Sequence, residues 1–292
     1  MSLIAACQSG NLDLAKQLYR DGADIHAEND HAFQYACLNG HLETCEWLHS
    51  VGSDIHALNN LAFLYACMNG HLELACWLHS VGSDIHAEND IAFRFVCANG
   101  HLELARWLHG LGSDIHAGND GAFQCACRSG HLELARWLHA LGSDIHAEND
   151  GAFRYACAYG HLETAQWLYS IGSDIHVKND QAFRWACTCG HLETARWLHS
   201  ISIGINVIRA TLENLRYNQE EVEVKTWLRS LVTPVAISLV SYNDEAVQCS
   251  ICHETDAEEY VKLPRCSHIF HKECIIEWLK TNLNCPYCRQ EI

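Results

Sequence analysis

Eight potential metal ligands crowd the end of this chain: Cys249, Cys252, Cys266, His268, His271, Cys274, Cys285 and Cys288. Members of each neighbouring pair are separated by one or two intervening residues, so both side chains of a turn converge on one ion at about 2.0 to 2.3 Å. Eight such donors suit two tetrahedral zinc ions. A domain of about 45 residues buries little apolar surface, whereas a structural zinc contributes roughly 10 to 16 kcal/mol of apparent binding energy that appears as folding energy. The ligands by themselves therefore predict a small domain stapled by metal.

The residues between the ligands say more. Cys-Ser-Ile-Cys at 249–252, Leu-Pro-Arg-Cys-Ser-His-Ile-Phe-His-Lys-Glu-Cys at 263–274, Trp278-Leu279 and Cys-Pro-Tyr-Cys-Arg at 285–289 resemble the RING-H2 family at every ligand position. In that family the ligand pairs interleave. The resemblance thus implies one zinc on Cys249, Cys252, His271 and Cys274 and a second on Cys266, His268, Cys285 and Cys288. Zinc binding does not require Ile251, Trp278 or Pro286. In the ubiquitin ligases that this domain resembles, those positions form a shallow apolar groove that docks a ubiquitin-conjugating enzyme. Leu263 and Leu279 read equally well as internal packing. Arg289 resembles the residue that in active ligases hydrogen-bonds both the conjugating enzyme and its linked ubiquitin, a role suited to a forked guanidinium. Its bland counterpart is a solvated arginine. The implied reaction is acyl transfer, in which a substrate lysine amine attacks the thioester between ubiquitin and the conjugating enzyme's cysteine. All six cysteines of the domain are then committed to zinc, so this chain supplies proximity and thioester geometry and no nucleophile. A zinc module without ubiquitin chemistry is the competing reading.

What would bring a substrate to that domain lies upstream. Trp47, Trp77, Trp107, Trp137, Trp167, Trp197 and Trp227 recur at a strict spacing of 30 residues, the mark of a stacked array. One frame runs Asn149-Asp150-Gly151-Ala152-Phe153, Ala156-Cys157, Gly160-His161-Leu162-Glu163, Trp167-Leu168 and Gly172-Ser173-Asp174-Ile175-His176. It predicts two short helices, with Asp150 as N-cap of the first, Gly160 closing it in a left-handed conformation and Gly172 closing the second. Leu162, Ala165, Trp167 and Leu168 form an apolar face that one helix pair cannot bury alone, so neighbours must stack. The frame resembles the ankyrin repeat over residues 1 to about 231. It departs in being three residues shorter than that family's usual 33 and in carrying Ala-Phe where the family has Thr-Pro-Leu-His. The shortening falls between Gly172 and Phe183, which predicts stubby hairpin fingers. Short, His- and Trp-rich repeats of this kind resemble those encoded by large DNA viruses of amoebae.

The expected architecture is an α-helical, ankyrin-like helix-pair solenoid with shortened hairpins over 1–231, a linker over 232–248 and a small α+β zinc cross-brace over 249–292. Eight helix pairs are expected, the last a divergent cap from about 208. In the first unit Asn11 and Gln17 replace His and Trp, and the last carries Glu220, Glu221, Glu223, Lys225 and Arg229, the polar outer faces that terminal repeats need. Pro234 forbids an uninterrupted helix through the linker. The array's histidines read as architectural: the His41 and His56 series at turns, the His49 series at a helix C-terminus. The Cys37 series reads as small buried thiols and the Trp47 series as inter-repeat packing. Partner contacts are sought where the repeats disagree, at His31, Leu61, Ile91 and Gln181 near the fingers and at Gln34, Leu64, Arg94, Arg154 and Arg184 on the first helices.

A formal net charge of -17, with no basic patch to offset it, argues against nucleic-acid binding. Neither a basic leader nor a membrane-length apolar run stands out, and seventeen cysteines suggest thiols and metal ligands in a reducing compartment, hence an intracellular, cytoplasmic protein. The partners implied are a ubiquitin-charged conjugating enzyme and a protein substrate, with no membrane. A second reading, a non-enzymatic scaffold whose zinc domain mediates assembly, stands beside the ligase.

Overall fold

A computed structural model describes residues 2–215, 222–232, 248–249, 251–253, 260–263, 266, 268–281 and 285–289. The linker expected over 232–248, with Pro234, lies outside these residues except at its two ends, as do Glu220 and Glu221. Helices follow in pairs: α1 (Leu3–Gln8) with α2 (Leu12–Arg20), α3 (Ala27–Leu38) with α4 (Leu42–Ser50), α5 (Ala57–Met68) with α6 (Leu72–Ser80), and α7 (Ala87–Ala98) with α8 (Leu102–Gly110). The series continues with α9 (Ala117–Arg128) and α10 (Leu132–Ala140), α11 (Ala147–Ala158) and α12 (Leu162–Ser170), α13 (Val177–Thr188) and α14 (Leu192–Ser202), and α15 (Ile205–Asn214) and α16 (Val222–Val232). Strands β1 (Tyr260–Lys262) and β2 (Ile269–His271) and helix α17 (Lys272–Thr281) follow. The chain divides into two compact units, Met1–Lys178 and Asn179–Ile292.

Stacking builds the core of the first unit. Each first helix packs on the next, α1 on α3, α3 on α5 and so on to α11. Phe33, Phe63, Phe93, Phe123 and Phe153 are buried between them, beside Ala36 and Cys37 and their counterparts. The cysteines are structural: burial pushes the Cys7 thiol up to about 12 and holds Cys37, Cys67, Cys97, Cys127 and Cys157 well above the ordinary thiol range. The tryptophans join neighbours. Trp77, Trp107, Trp137 and Trp167 each receive the histidine of the preceding second helix edge-on, at centroid distances of 5.7–5.9 Å, and aromatic pairs of this geometry add about 0.5–1.5 kcal/mol beyond buried area.

The recurring Gly-His pair also acts between repeats. His71 turns Nε2 to the Leu38 carbonyl at 3.1 Å, and His101 does the same to Met68 at 3.0 Å, each 33 residues back. Asn11 takes the histidine's place in the first repeat. Its side chain caps its own helix instead, accepting from the Leu14 amide at 3.1 Å. The histidine ring lies so close to the preceding repeat's glycine that a Cβ on Gly100 would stand 2.5 Å from the His131 Nδ1, and Gly100 has φ +78°. Gly100→Ala should therefore destabilise the array by about 1–3 kcal/mol in denaturant unfolding, from left-handed strain plus the clash. Gly112 has φ +102° but nothing near its Cβ position, so Gly112→Ala should cost only the strain. Adding His131→Ala should recover part of the Gly100→Ala loss; strict additivity would refute this pairing.

Where an ankyrin finger is expected, the chain makes a left-handed turn. Glu148, Asn149 and Asp150 all have positive φ, of 51° to 56°, and the same triplet is left-handed in each internal repeat of this unit. No strand occurs in the array among the described residues. Asp150 is therefore not the N-cap that its position before Phe153 suggests. Its carboxylate accepts from His146 Nδ1 at 3.0 Å and from the Asp174 amide of the next repeat at 3.2 Å. Left-handed residues cost about 1–2 kcal/mol each, and hydrogen bonds to a charged group return about 1.5–3 kcal/mol apiece.

In the second unit, α15 packs on α16 and α16 on α17. Trp227 receives His199 edge-on at 5.7 Å, and Phe183 lies 6.4 Å away, tilted. Antiparallel β1 and β2 pair Tyr260 with His271, Val261 with Phe270 and Lys262 with Ile269.

Candidate metal centre

Two four-donor clusters assemble around this hairpin. Cys249, Cys252, His271 and Cys274 bring their ligand atoms within 4.8 Å of one another, and so do Cys266, His268, Cys285 and Cys288. These are the interleaved sets that the resemblance implies. Two similar knuckles present the outer cysteines: the His253 amide returns to the Cys249 carbonyl at 2.8 Å and the Arg289 amide to the Cys285 carbonyl at 2.9 Å. Both closing residues are left-handed, with φ of 64° and 58°. The hairpin and the start of α17 supply His271 and Cys274. Because Val261 and Phe270 face each other across the strands and are buried with Leu263 and Ile275, the metal clusters flank a small apolar core that also holds Cys249 and Cys285.

The donors fit zinc. A tetrahedral site with bonds of about 2.0–2.3 Å has ligand-to-ligand edges of about 3.3–3.8 Å. His271 Nδ1 lies 3.2 Å from Cys252 Sγ and 4.0 Å from Cys274 Sγ, and His268 Nδ1 lies 3.7 Å from Cys285 Sγ. Burial tends to raise the Cys249 thiol, but hydrogen bonds from the amides of Cys252, His271 and Ile251 outweigh it and its pKa falls. Desolvation and neighbouring thiols push Cys266 up to about 11 and Cys274 to about 12. Sulfurs packed this closely cannot all ionise without a cation among them, which is the condition a divalent metal meets.

Two residues without a sequence signal support the histidines. Tyr260 meets the His271 ring edge-on at 5.0 Å from across the hairpin, and Tyr287 lies 4.5 Å from the His268 ring. His271 Nε2 is buried with no hydrogen-bond partner among the described residues, so packing by Tyr260 has much of the work of orienting that ring.

Ile251 and Trp278 lean on the same core cluster while remaining half-exposed, and Pro286 is half-buried in the second knuckle. Leu263 is internal packing. The Leu279 side chain lies outside what is described. Arg289 is exposed.

The array residues divide. Leu61, Leu64 and Ile91 line one cavity. His31 pairs with Glu28 at 2.8 Å, Arg94 leans on Gly118 and Gly121, and Arg184 is half-buried. Gln34 and Arg154 are only 2% and 4% exposed, and the expectation of a free contact surface fails for them. Gln34 Nε2 donates to the Asn29 carbonyl at 2.7 Å, and Arg154 donates to the Asn149 and Glu148 carbonyls at 3.0 and 2.7 Å. Both brace the left-handed turn, as does Gln124 through Asn119.

Stacked helix pairs joined by tight turns, ending in a two-cluster zinc cross-brace, define a repeat protein with an appended RING. A family model described as ankyrin repeats (3 copies) matches residues 3–89 and 93–179, more than half of the chain, which therefore belongs to the ankyrin-repeat family. A Ring finger domain model matches residues 247–289. An E3 ubiquitin-protein ligase of Oryza sativa subsp. japonica is 52% identical over 46 residues, 15% of this chain and 12% of that protein. The E3 ubiquitin-protein ligase RNF181 homolog of Drosophila melanogaster is 36% identical over 76 residues, 25% of this chain and 51% of that protein. The chain thus spans about half or less of the length of these curated relatives. The crystal structure of the human ASB11 ankyrin repeat domain shares the fold at 18% identity, with a TM-score of 0.56 over 70% of this chain and 99% of that one. No helix among the described residues is long and apolar enough to cross a membrane.

Proposed function

We propose that the chain is a RING-type ubiquitin-protein ligase, with the array over 1–231 recruiting a protein substrate and the domain over 249–292 docking a charged ubiquitin-conjugating enzyme. The observation that carries the proposal is the half-exposed pair Ile251 and Trp278, which the zinc clusters do not need and which the core holds at the surface. When bound, zinc supplies shape and no reaction step. Ile251, Trp278 and Pro286 dock the conjugating enzyme, and Arg289 steadies the thioester-linked ubiquitin through its planar fork. A substrate lysine amine attacks the thioester carbonyl, an isopeptide bond forms, and the conjugating enzyme's thiol leaves. Holding the thioester close and oriented is the contribution of this chain.

An in vitro assay with a panel of conjugating enzymes tests this: zinc-dependent ubiquitin chain formation is expected with at least one. Inactivity across a broad panel would favour the scaffold reading. The proposed setting is a host cytoplasm with a host conjugating enzyme, a reading supported by the repeats' likeness to those of large DNA viruses of amoebae.

A further inference from the structure

Repeat three differs from its neighbours on the finger side. At the first left-handed position the first unit's other internal repeats carry Glu28, Glu88, Gly118 and Glu148, whereas this one carries Leu58. Leu58 has φ 52° and ψ 50° and is 50% exposed. A branched apolar residue that is both strained and solvated contributes little to stability. Three residues on, Leu61 stands where His31, Gly121 and Gly151 stand, and Ile91 is its counterpart in the next repeat. Leu64 occupies the position from which Gln34, Gln124 and Arg154 brace their turns, and a leucine has no donor to offer Asn59. Leucines at these three positions forgo that brace and expose apolar surface.

Together they shape a site. Leu58, Leu61, Leu64 and Ile91, floored by Phe63, line a cavity of about 140 Å³, close to the size that admits a benzene-sized group. Asp84 and Glu88 also line it, and no lysine or arginine does. The nearest cation along the chain, Arg94, lies over the following repeat, its Cδ 3.1 Å from where a Cβ on Gly121 would stand. From this geometry we infer that the cavity receives one apolar side chain, leucine-sized or aromatic, from a partner peptide whose adjacent residues are lysine or arginine. The inference rests on the proposal that the array recruits substrate, and it names the chemical class of segment recruited. The apolar side chain replaces water against four aliphatic residues, and the flanking cations meet the two carboxylates.

A degenerate library of short peptides selected on the full-length chain tests it. Enriched sequences should share one Leu, Ile, Met or Phe next to Lys or Arg. Folding controls come from the array itself, since Leu58→Glu, Leu61→Gln and Leu64→Gln each install a residue that another repeat holds at that position. The combined variant should retain its thermal unfolding midpoint to within a few degrees and bind the selected peptides about tenfold or more weakly. Glu88→Lys, which matches Lys178 in the series, should shift selection away from basic neighbours. Absence of enrichment, unchanged binding by the triple variant, or enrichment of acidic neighbours would overturn the inference. So would a self-association that the triple variant abolishes, because the occupant would then be a second copy of the chain. Selection needs no conjugating enzyme, so its failure and a failure of ubiquitin transfer are separate results.

Discussion

A strong chelator is expected to unfold the C-terminal domain and abolish ubiquitin transfer while leaving the repeat helices intact. The domain's buried apolar side chains are Val261, Leu263, Phe270 and Ile275 among the described residues. Each contributes about 1.5–3 kcal/mol, against an ordering cost of about 1–2 kcal/mol for every residue fixed. Four side chains cannot hold a domain of this length. Two metal sites can, at roughly 10–16 kcal/mol of apparent binding energy for a structural zinc. The array contains neither cluster, and its stacked phenylalanines, leucines and alanines remain buried without metal. Hydrogen exchange should show the amides of β1, β2 and α17 losing protection on chelation while those of α5 to α11 keep theirs. Retained protection over 260–281 with zinc removed would refute the cross-brace as the source of the domain's stability.

The order of binding and folding gives this result its sign with pH. Zinc binds thiolates, and the cysteines of the unfolded, metal-free domain are protonated thiols at neutral pH, so metal uptake must expel protons. Zinc retention should therefore weaken as the solution is acidified, and the transition should coincide with loss of strand protection.

Much of this was legible in the chain itself, and what was hidden has a common physical origin. The period of thirty, the closing glycines and the eight ligands are all local spacings, and the structure places Gly160 and Gly172 in the left-handed region as their positions demand. The Gly-His motif was visible as a turn, but its partner, a carbonyl 33 residues back, is adjacent only once the repeats stack. The same holds for the edge-on pairing of His79 with Trp107. The left-handed turn before the helix is hidden from ordinary propensity, because Asp before an apolar run normally caps and three consecutive non-glycine residues at positive φ are rare. The exchange of Gln for Arg along the Gln34 series looked like freedom. Both side chains carry the N–H that the turn carbonyl needs, so a functional constraint was disguised as variation. In that series Leu64 is the member whose side chain has no donor to offer. In the zinc domain, Tyr260 escaped notice because its link to His271 depends on strand register.

Ile251→Ala and Trp278→Ala should each reduce ubiquitin transfer about thirtyfold or more, the scale on which truncating an aromatic or aliphatic anchor weakens a docked interface. Both residues also lean on the core cluster, so lost transfer by itself would not separate docking from folding. Two measurements do so. Zinc content and strand protection should be unchanged in Ile251→Ala, whose smaller side chain sits in the knuckle between two cysteines of one four-donor cluster. Kinetics should also divide by residue: removing Ile251 or Trp278 should raise the KM for the charged conjugating enzyme, because those side chains serve docking. Arg289→Ala should instead lower kcat with little change in KM, because Arg289 is exposed at the end of the second knuckle and is assigned to the ubiquitin-bearing thioester. Arg289→Lys should recover only part of the rate, since a single ammonium lacks the fork that can bridge two partners. If Arg289→Ala and Trp278→Ala instead changed KM alike, the arginine would be one more docking contact, and orientation of the thioester would have to come from elsewhere in the domain.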